Sequence, residues 1–186
     1  MAKRPIDLDE TALTPAQRAA FDAIASGPRG VVEGPLRVWL QSPLLAETAQ
    51  ALGVFCRYGT RLSPKLSELA ILVTGAFWRS GFEWAAHAPI AIREGLSATV
   101  VDAIRRGERP EFAEPAEEAI YDFASELHRD HRVCDETYAR VTALFGQEGA
   151  VELTGILGYY TLISMTINAF EVPLPDGATD PFPAKN

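Results

Sequence analysis

Cysteine is scarce in this chain: two among 186 residues, Cys56 and Cys134. Two cysteines this far apart exclude a disulfide scaffold and a CxxC redox motif. Basic charge is also in deficit, with 17 Lys plus Arg against 25 Asp plus Glu and a formal net charge of -8. That balance argues against a surface for nucleic-acid phosphates or anionic lipid. Alternating apolar and polar runs bounded by hairpin turns are nearly absent, so the strand signal is weak. The opening MAKRPIDLDE turns acidic where a signal peptide needs an apolar run, which sets a cytoplasmic protein as the expectation.

What is present is helix punctuation. Thr14-Pro15, Ser42-Pro43 and Ser63-Pro64 each place a capping hydroxyl before a proline at the first helical position. They predict helices to about Ser26, to about Tyr58, and onward from Pro64. Ser97 caps a stretch to Arg106 closed by Gly107, and Pro115 opens PAEEAIYDFASELHRD. Asp135 is read as the cap of DETYARVTALF with Gly146 as its stop, and a last helix covers about 148 to 169. The stretch Gly27 to Pro35, GPRGVVEGP, reads as an ordered loop. The fold class is therefore all-α, in one domain over 1–186 with a core of about 36–170, an N-terminal helix at 14–26 and a Pro/Gly-rich tail at 173–186. The tail is expected on the surface or against a neighbouring subunit.

Leu153 to Phe170 carries no charge and reaches the lower limit of a membrane span. Its Thr, Ser and Asn residues and the lack of a basic flank favour a buried core or interface helix instead. Gly155 and Gly158 in it read as permitting close helix contact.

The densest polar constellation is Ser67-Glu68, an apolar run to Trp78, then Arg79-Ser80-Gly81-Phe82-Glu83-Trp84-Ala85-Ala86-His87. Glu68 lies in strongly apolar surroundings, where a carboxylate needs a partner and becomes a plausible proton carrier. Glu83 and His87 are four apart and share a helical face, with Arg79 four residues before Glu83 in line with them. Pro89 cannot donate to the Ala85 carbonyl, so a kink or break is expected close to His87. The competing reading is a surface ion-pair ladder beside a capped Glu68.

The string SELAILVTGAFWRSGFEWAAHAPIAIREGLS resembles the carboxymuconolactone decarboxylase family, which includes alkylhydroperoxidase D-type proteins. The resemblance implies an alkylhydroperoxidase D-like helical bundle assembled as a homo-oligomer, a trimer or hexamer, with the site near a subunit interface. The peroxidase branch carries a CxxC pair between its glutamate and histidine, and Ser80 and Glu83 occupy those two positions here. A hydroxyl and a carboxylate cannot take over thiol–disulfide chemistry. The decarboxylase branch carries a Glu-xxx-His like Glu83-xxx-His87 and needs no cofactor. By that resemblance His87 is the proton donor, Glu83 orients it and Glu68 is a second acid or base. Arg79 is the expected carboxylate binder, with Ser80, Tyr58 and Trp84 as further substrate contacts.

The substrate class so implied is a small carboxylated lactone or related acid. No metal, membrane or nucleic-acid partner is expected. His128, His131 and Cys134 have a ligand-like spacing, but arginines interleave them and a helix end there attracts histidine through its dipole. Cys56 reads as a small core residue. Two other functions compete: a non-catalytic oligomeric small-acid binder, and a thiol peroxidase using Cys56.

Overall fold

The computed structural model describes residue 4 and residues 8–183. Its elements are a 3-10 turn at Glu10–Ala12 and eight α-helices: α1 Pro15–Ala25, α2 Pro35–Trp39, α3 Pro43–Tyr58, α4 Pro64–Phe77, α5 Gly81–Arg93, α6 Ala98–Arg106, α7 Pro115–Asp130 and α8 Asp135–Phe170. No strand occurs among the described residues, so the all-α expectation holds.

The caps explain most starts. Thr14 and Gln17 form a reciprocal capping box, the Gln17 amide donating to Thr14 Oγ1 at 3.3 Å and the Thr14 amide to Gln17 Oε1 at 2.9 Å. Ser63 Oγ accepts from the Leu66 amide and Ser97 Oγ from the Thr99 amide. Ser42 precedes α3 but makes no side-chain capping bond, leaving Pro43 to set that start. α2, inside the loop-rich stretch, was not visible as a helix in the sequence. It opens at Gly34, whose φ of 56° suits glycine.

Two local expectations need correction, at the start of α8 and at Pro89, while the one at Gly146 holds. Cys134, not Asp135, is the N-cap of α8, its sulfur accepting from the Thr137 amide. Gly146 interrupts the helix, as its sequence position predicts. It takes φ 72° and ψ 175°, and α8 resumes on the other side of this kink. Pro89 lies inside α5, which continues through to Arg93.

α4 is the central element: every residue from Leu66 to Gly75 is buried, with α5, α7 and α8 packed around it. A helix apolar on all sides belongs in the middle of a bundle. The second half of α8 lies beside it, with Leu153, Ile156, Leu157, Tyr159 and Tyr160 almost fully buried. α8 is long and apolar enough to cross a membrane by length and composition, yet 61% of its most apolar window is covered by the rest of the chain. Gly155 and Gly158 face no neighbouring atom within 4 Å, so the close helix contact expected of them is not made within the chain.

The tail returns to its own chain. Phe182 is buried edge-on against Trp84, ring centroids 5.3 Å apart, and Arg79 donates to the Phe182 and Pro183 carbonyls at 2.8 and 2.9 Å. Residues 184–186 of the tail, like 1–3 and 5–7, lie outside the described residues.

Candidate functional site

α4 and α5 run consecutively, separated by the turn Trp78–Ser80, and pack side by side. Glu68, near the start of α4, thereby faces the middle of α5. His87 Nδ1 lies 2.7 Å from Glu68 Oε2, and its Nε2 lies 2.9 Å from Glu83 Oε1. Each of the three side chains is about 5% exposed, which excludes a surface ladder. Carboxylates only accept, so carboxylates at both ring nitrogens favour the doubly protonated imidazolium.

Burial alone pushes the His87 imidazole down. The Glu83 charge and the hydrogen bonds to Glu68 and Glu83 outweigh that and lift it to about 9. The cluster therefore holds His87 as an imidazolium at near-neutral pH, buried between Glu68 and Glu83. Tyr160 closes one side of it, edge-on to the His87 ring at 5.2 Å.

His87 and Glu83 also line a cavity of about 100 Å³, together with Arg29, Arg57, Phe82, Tyr159 and Tyr160. That volume suits several waters or a small organic ligand. Arg29, from the loop after α1, donates from Nη2 to Tyr159 Oη at 3.1 Å. The approach depends on Gly53 of α3, where a Cβ would stand 2.2 Å from Tyr159 Oη and 2.6 Å from Arg29 Nη2. Tyr160 Oη is buried with no hydrogen-bond partner, and so is Arg29 Nε. Burial, chiefly, raises the Tyr159 phenol to about 12 and the Tyr160 phenol well above its ordinary value, so both remain neutral donors.

The structure thus brings Glu68, Glu83 and His87 together and separates the other expected site residues from them. Arg79 takes a left-handed φ of 50° in the turn between α4 and α5, so it is not one helical turn before Glu83. Its guanidinium holds the tail and is absent from the cavity wall. Tyr58 is half exposed under the Arg57 guanidinium, and Trp84 is buried against Phe182. Ser80 is buried as the N-cap residue of α5, its Oγ without a partner. None of these three lines the cavity.

Arg29, Arg57, Phe82, Tyr159 and Tyr160 escaped the sequence reading. The one available signal was the Tyr159-Tyr160 pair in an uncharged stretch, since buried phenols need partners. Cys56 is fully buried, is not part of the cavity wall, and burial pushes its thiol up to about 11. That protonated thiol is a poor nucleophile. His128, His131 and Cys134 do not converge. His128 bonds Thr74 and stacks on Phe77, His131 ends α7 in a left-handed conformation, and Cys134 caps α8.

Two solved structures share the fold. The debrominase Bmp8 in complex with 2,3,4-tribromopyrrole, as a cysteine-to-alanine variant, superposes with a TM-score of 0.72 at 15% identity, covering 92% of this chain and 91% of that one. Its apo form gives 0.71 at 16% identity, covering 91% of each chain. No curated protein sequence matches the chain. Residues 43–126 match the carboxymuconolactone decarboxylase family, and this segment carries Glu68, Glu83 and His87. Over that segment the chain matches the carboxymuconolactone decarboxylase family, with Ser80 and Glu83 between Glu68 and His87 where a thiol pair would need cysteines.

Proposed function

We propose that the protein is a cofactor-independent decarboxylase or isomerase acting on a small carboxylated lactone or related acid. The observation that carries this reading is the buried Glu68–His87–Glu83 array opening, through Glu83 and His87, onto a cavity of about 100 Å³. Such an array stores one transferable proton beside a space that a small ligand can enter.

In a lactone with a carboxylate on the γ carbon and a ring double bond conjugated to the carbonyl, the carbon–carbon bond to the carboxylate breaks. Carbon dioxide leaves, and the electron pair passes through the double bond to the carbonyl oxygen as a dienolate. A proton from the array then adds to the α carbon, restoring the carbonyl and shifting the double bond. Both His87 nitrogens already face carboxylates, so we assign the final transfer to Glu83, recharged from His87 while Glu68 holds the far nitrogen. Tyr160 Oη, unpartnered and neutral, is the donor we assign to the developing oxyanion.

The thiol-peroxidase reading gains no support from Cys56, which lies outside the cavity wall. Assembly of several copies in the cytoplasm belongs to the same proposal. The exposed Leu44, Leu52 and Phe55 of α3 and Val151 and Met165 of α8 support assembly. The test is turnover of such a lactone, followed by carbon dioxide release, in the wild type and in Glu83→Gln. Loss of about 10²-fold or more is expected from removing a positioned proton donor. Undiminished turnover in Glu83→Gln contradicts the assignment.

A further inference from the structure

The cavity wall joins groups of opposite charge. Glu83 and His87 present the proton array. The wall also carries two guanidiniums, Arg29 and Arg57, with the phenol of Tyr160. Arg57 leans over the Tyr58 ring, with its Cζ 5.5 Å from the centroid. Arg29 is bonded to the neutral Tyr159. Neither is ion-paired with a carboxylate among the described residues, although Glu33, exposed, also lines the cavity. Several other arginines sit on acidic partners, as Arg105 and Arg106 do on Asp102, Arg109 and Arg140 on Asp122, and Arg129 on Asp130. At the cavity, by contrast, buried Arg29 Nε and Tyr160 Oη are donors with nothing to donate to. A buried donor without an acceptor is costly unless a ligand completes it.

We infer that Arg29 and Arg57 form an anion clamp that binds a carboxylate the substrate retains through the reaction. The inference rests on the proposed function for its choice of substrate, but the clamp is a binding claim that stands or falls without turnover. Retention follows from charge: guanidiniums on the departing carboxylate stabilise its ionised ground state and raise the barrier to its loss. The clamp therefore takes a second acidic group and orients the ring so that its α carbon meets Glu83. Arginine suits this task because its planar fork matches a carboxylate, which lysine does not. The carboxylate-binding role that the sequence suggested for Arg79 passes to residues from the loop before α2 and from the end of α3.

The test uses (5-oxotetrahydrofuran-2-yl)acetate, a saturated lactone that does not decarboxylate by this route, and its neutral methyl ester. Their affinities are measured by titration calorimetry on the full chain. The wild type is expected to bind the acid about tenfold or more tighter than the ester, as charge-assisted contacts require. Arg29→Gln and Arg57→Gln should each erase that preference while leaving ester binding in place, and Arg29→Lys should restore little of it. Thermal melting establishes that each variant is folded. Where one is not, the other arginine variant and the weakening of acid binding by added KCl carry the test. An acid bound no tighter than its ester, an acid not bound at all, or a preference untouched by both arginine variants overturns the clamp. Acid binding that survives in Glu83→Gln, together with no lactone turnover by the wild type, instead supports the clamp and sinks the proposed reaction.

Discussion

Two histidines, one buried and one partly buried, hang on the same helix and come to opposite states. α4 offers Glu68 to His87 and, six residues further along, Thr74 to His128. His87 is almost wholly out of water and His128 partly so. His87 meets carboxylates at both nitrogens and is raised to about 9. His128 meets one hydroxyl and the face of Phe77, 4.9 Å between ring centroids, and burial lowers it. Burial alone therefore does not make a functional histidine. The charges facing it decide whether it holds a proton or only fills space.

The largest expected contrast is between two substitutions. His87→Ala leaves Glu68 and Glu83 buried and unpaired, and should cost about 3–5 kcal/mol of stability. It should also abolish measurable lactone turnover. His128→Ala loses a stacked ring and one hydrogen bond, a change of about 1–2 kcal/mol, and should leave turnover unaltered. Denaturant melts and carbon dioxide release on both variants check this. Comparable losses of turnover would break the contrast.

Next in size is the pH response. The folded-state value of His87 is above its ordinary 6.5, so its contribution to stability is complete below pH 6.5 and disappears as pH rises through about 9. Turnover should decline over the same alkaline limb as the array loses its proton. His128, lowered by burial, contributes in the other direction: its neutral folded form is penalised as pH falls through 6.5. Stability curves of the two variants against pH should diverge above pH 7 for His87 and below it for His128.

A smaller effect is expected at Gly53, where an added Cβ meets Tyr159 Oη and Arg29 Nη2. Gly53→Ala should push the Arg29–Tyr159 pair into the cavity and raise KM more than it lowers kcat. The smallest is Arg79→Ala. It frees the Phe182 and Pro183 carbonyls and should alter Trp84 fluorescence through the loosened Phe182 ring, with turnover little changed.

The legibility of these features in the sequence follows from how they are built. Capping residues and prolines act within four positions, so Thr14, Ser63 and Ser97 marked their helices directly. Glu83 and His87 share a turn of one helix, and Glu68 is conspicuous because its neighbours are apolar. Arg79 misled because the same four-residue spacing crosses a turn at φ 50°, where helical periodicity stops. The Arg29–Tyr159 pair spans 130 positions, and no local pattern encodes it. The break at Gly146 was visible as a glycine, and the helix after it as a long uncharged run. Local chemistry located the proton array, and tertiary packing supplied the cavity around it.

The central claim is that His87 is an imidazolium held between Glu68 and Glu83. ¹⁵N NMR of the imidazole nitrogens, followed from pH 5 to pH 10 with His87→Ala for assignment, tests it most directly. Both His87 nitrogens should be protonated at pH 7 and titrate together near pH 9. A neutral ring at pH 7, with a midpoint at or below 6.5, would contradict the account.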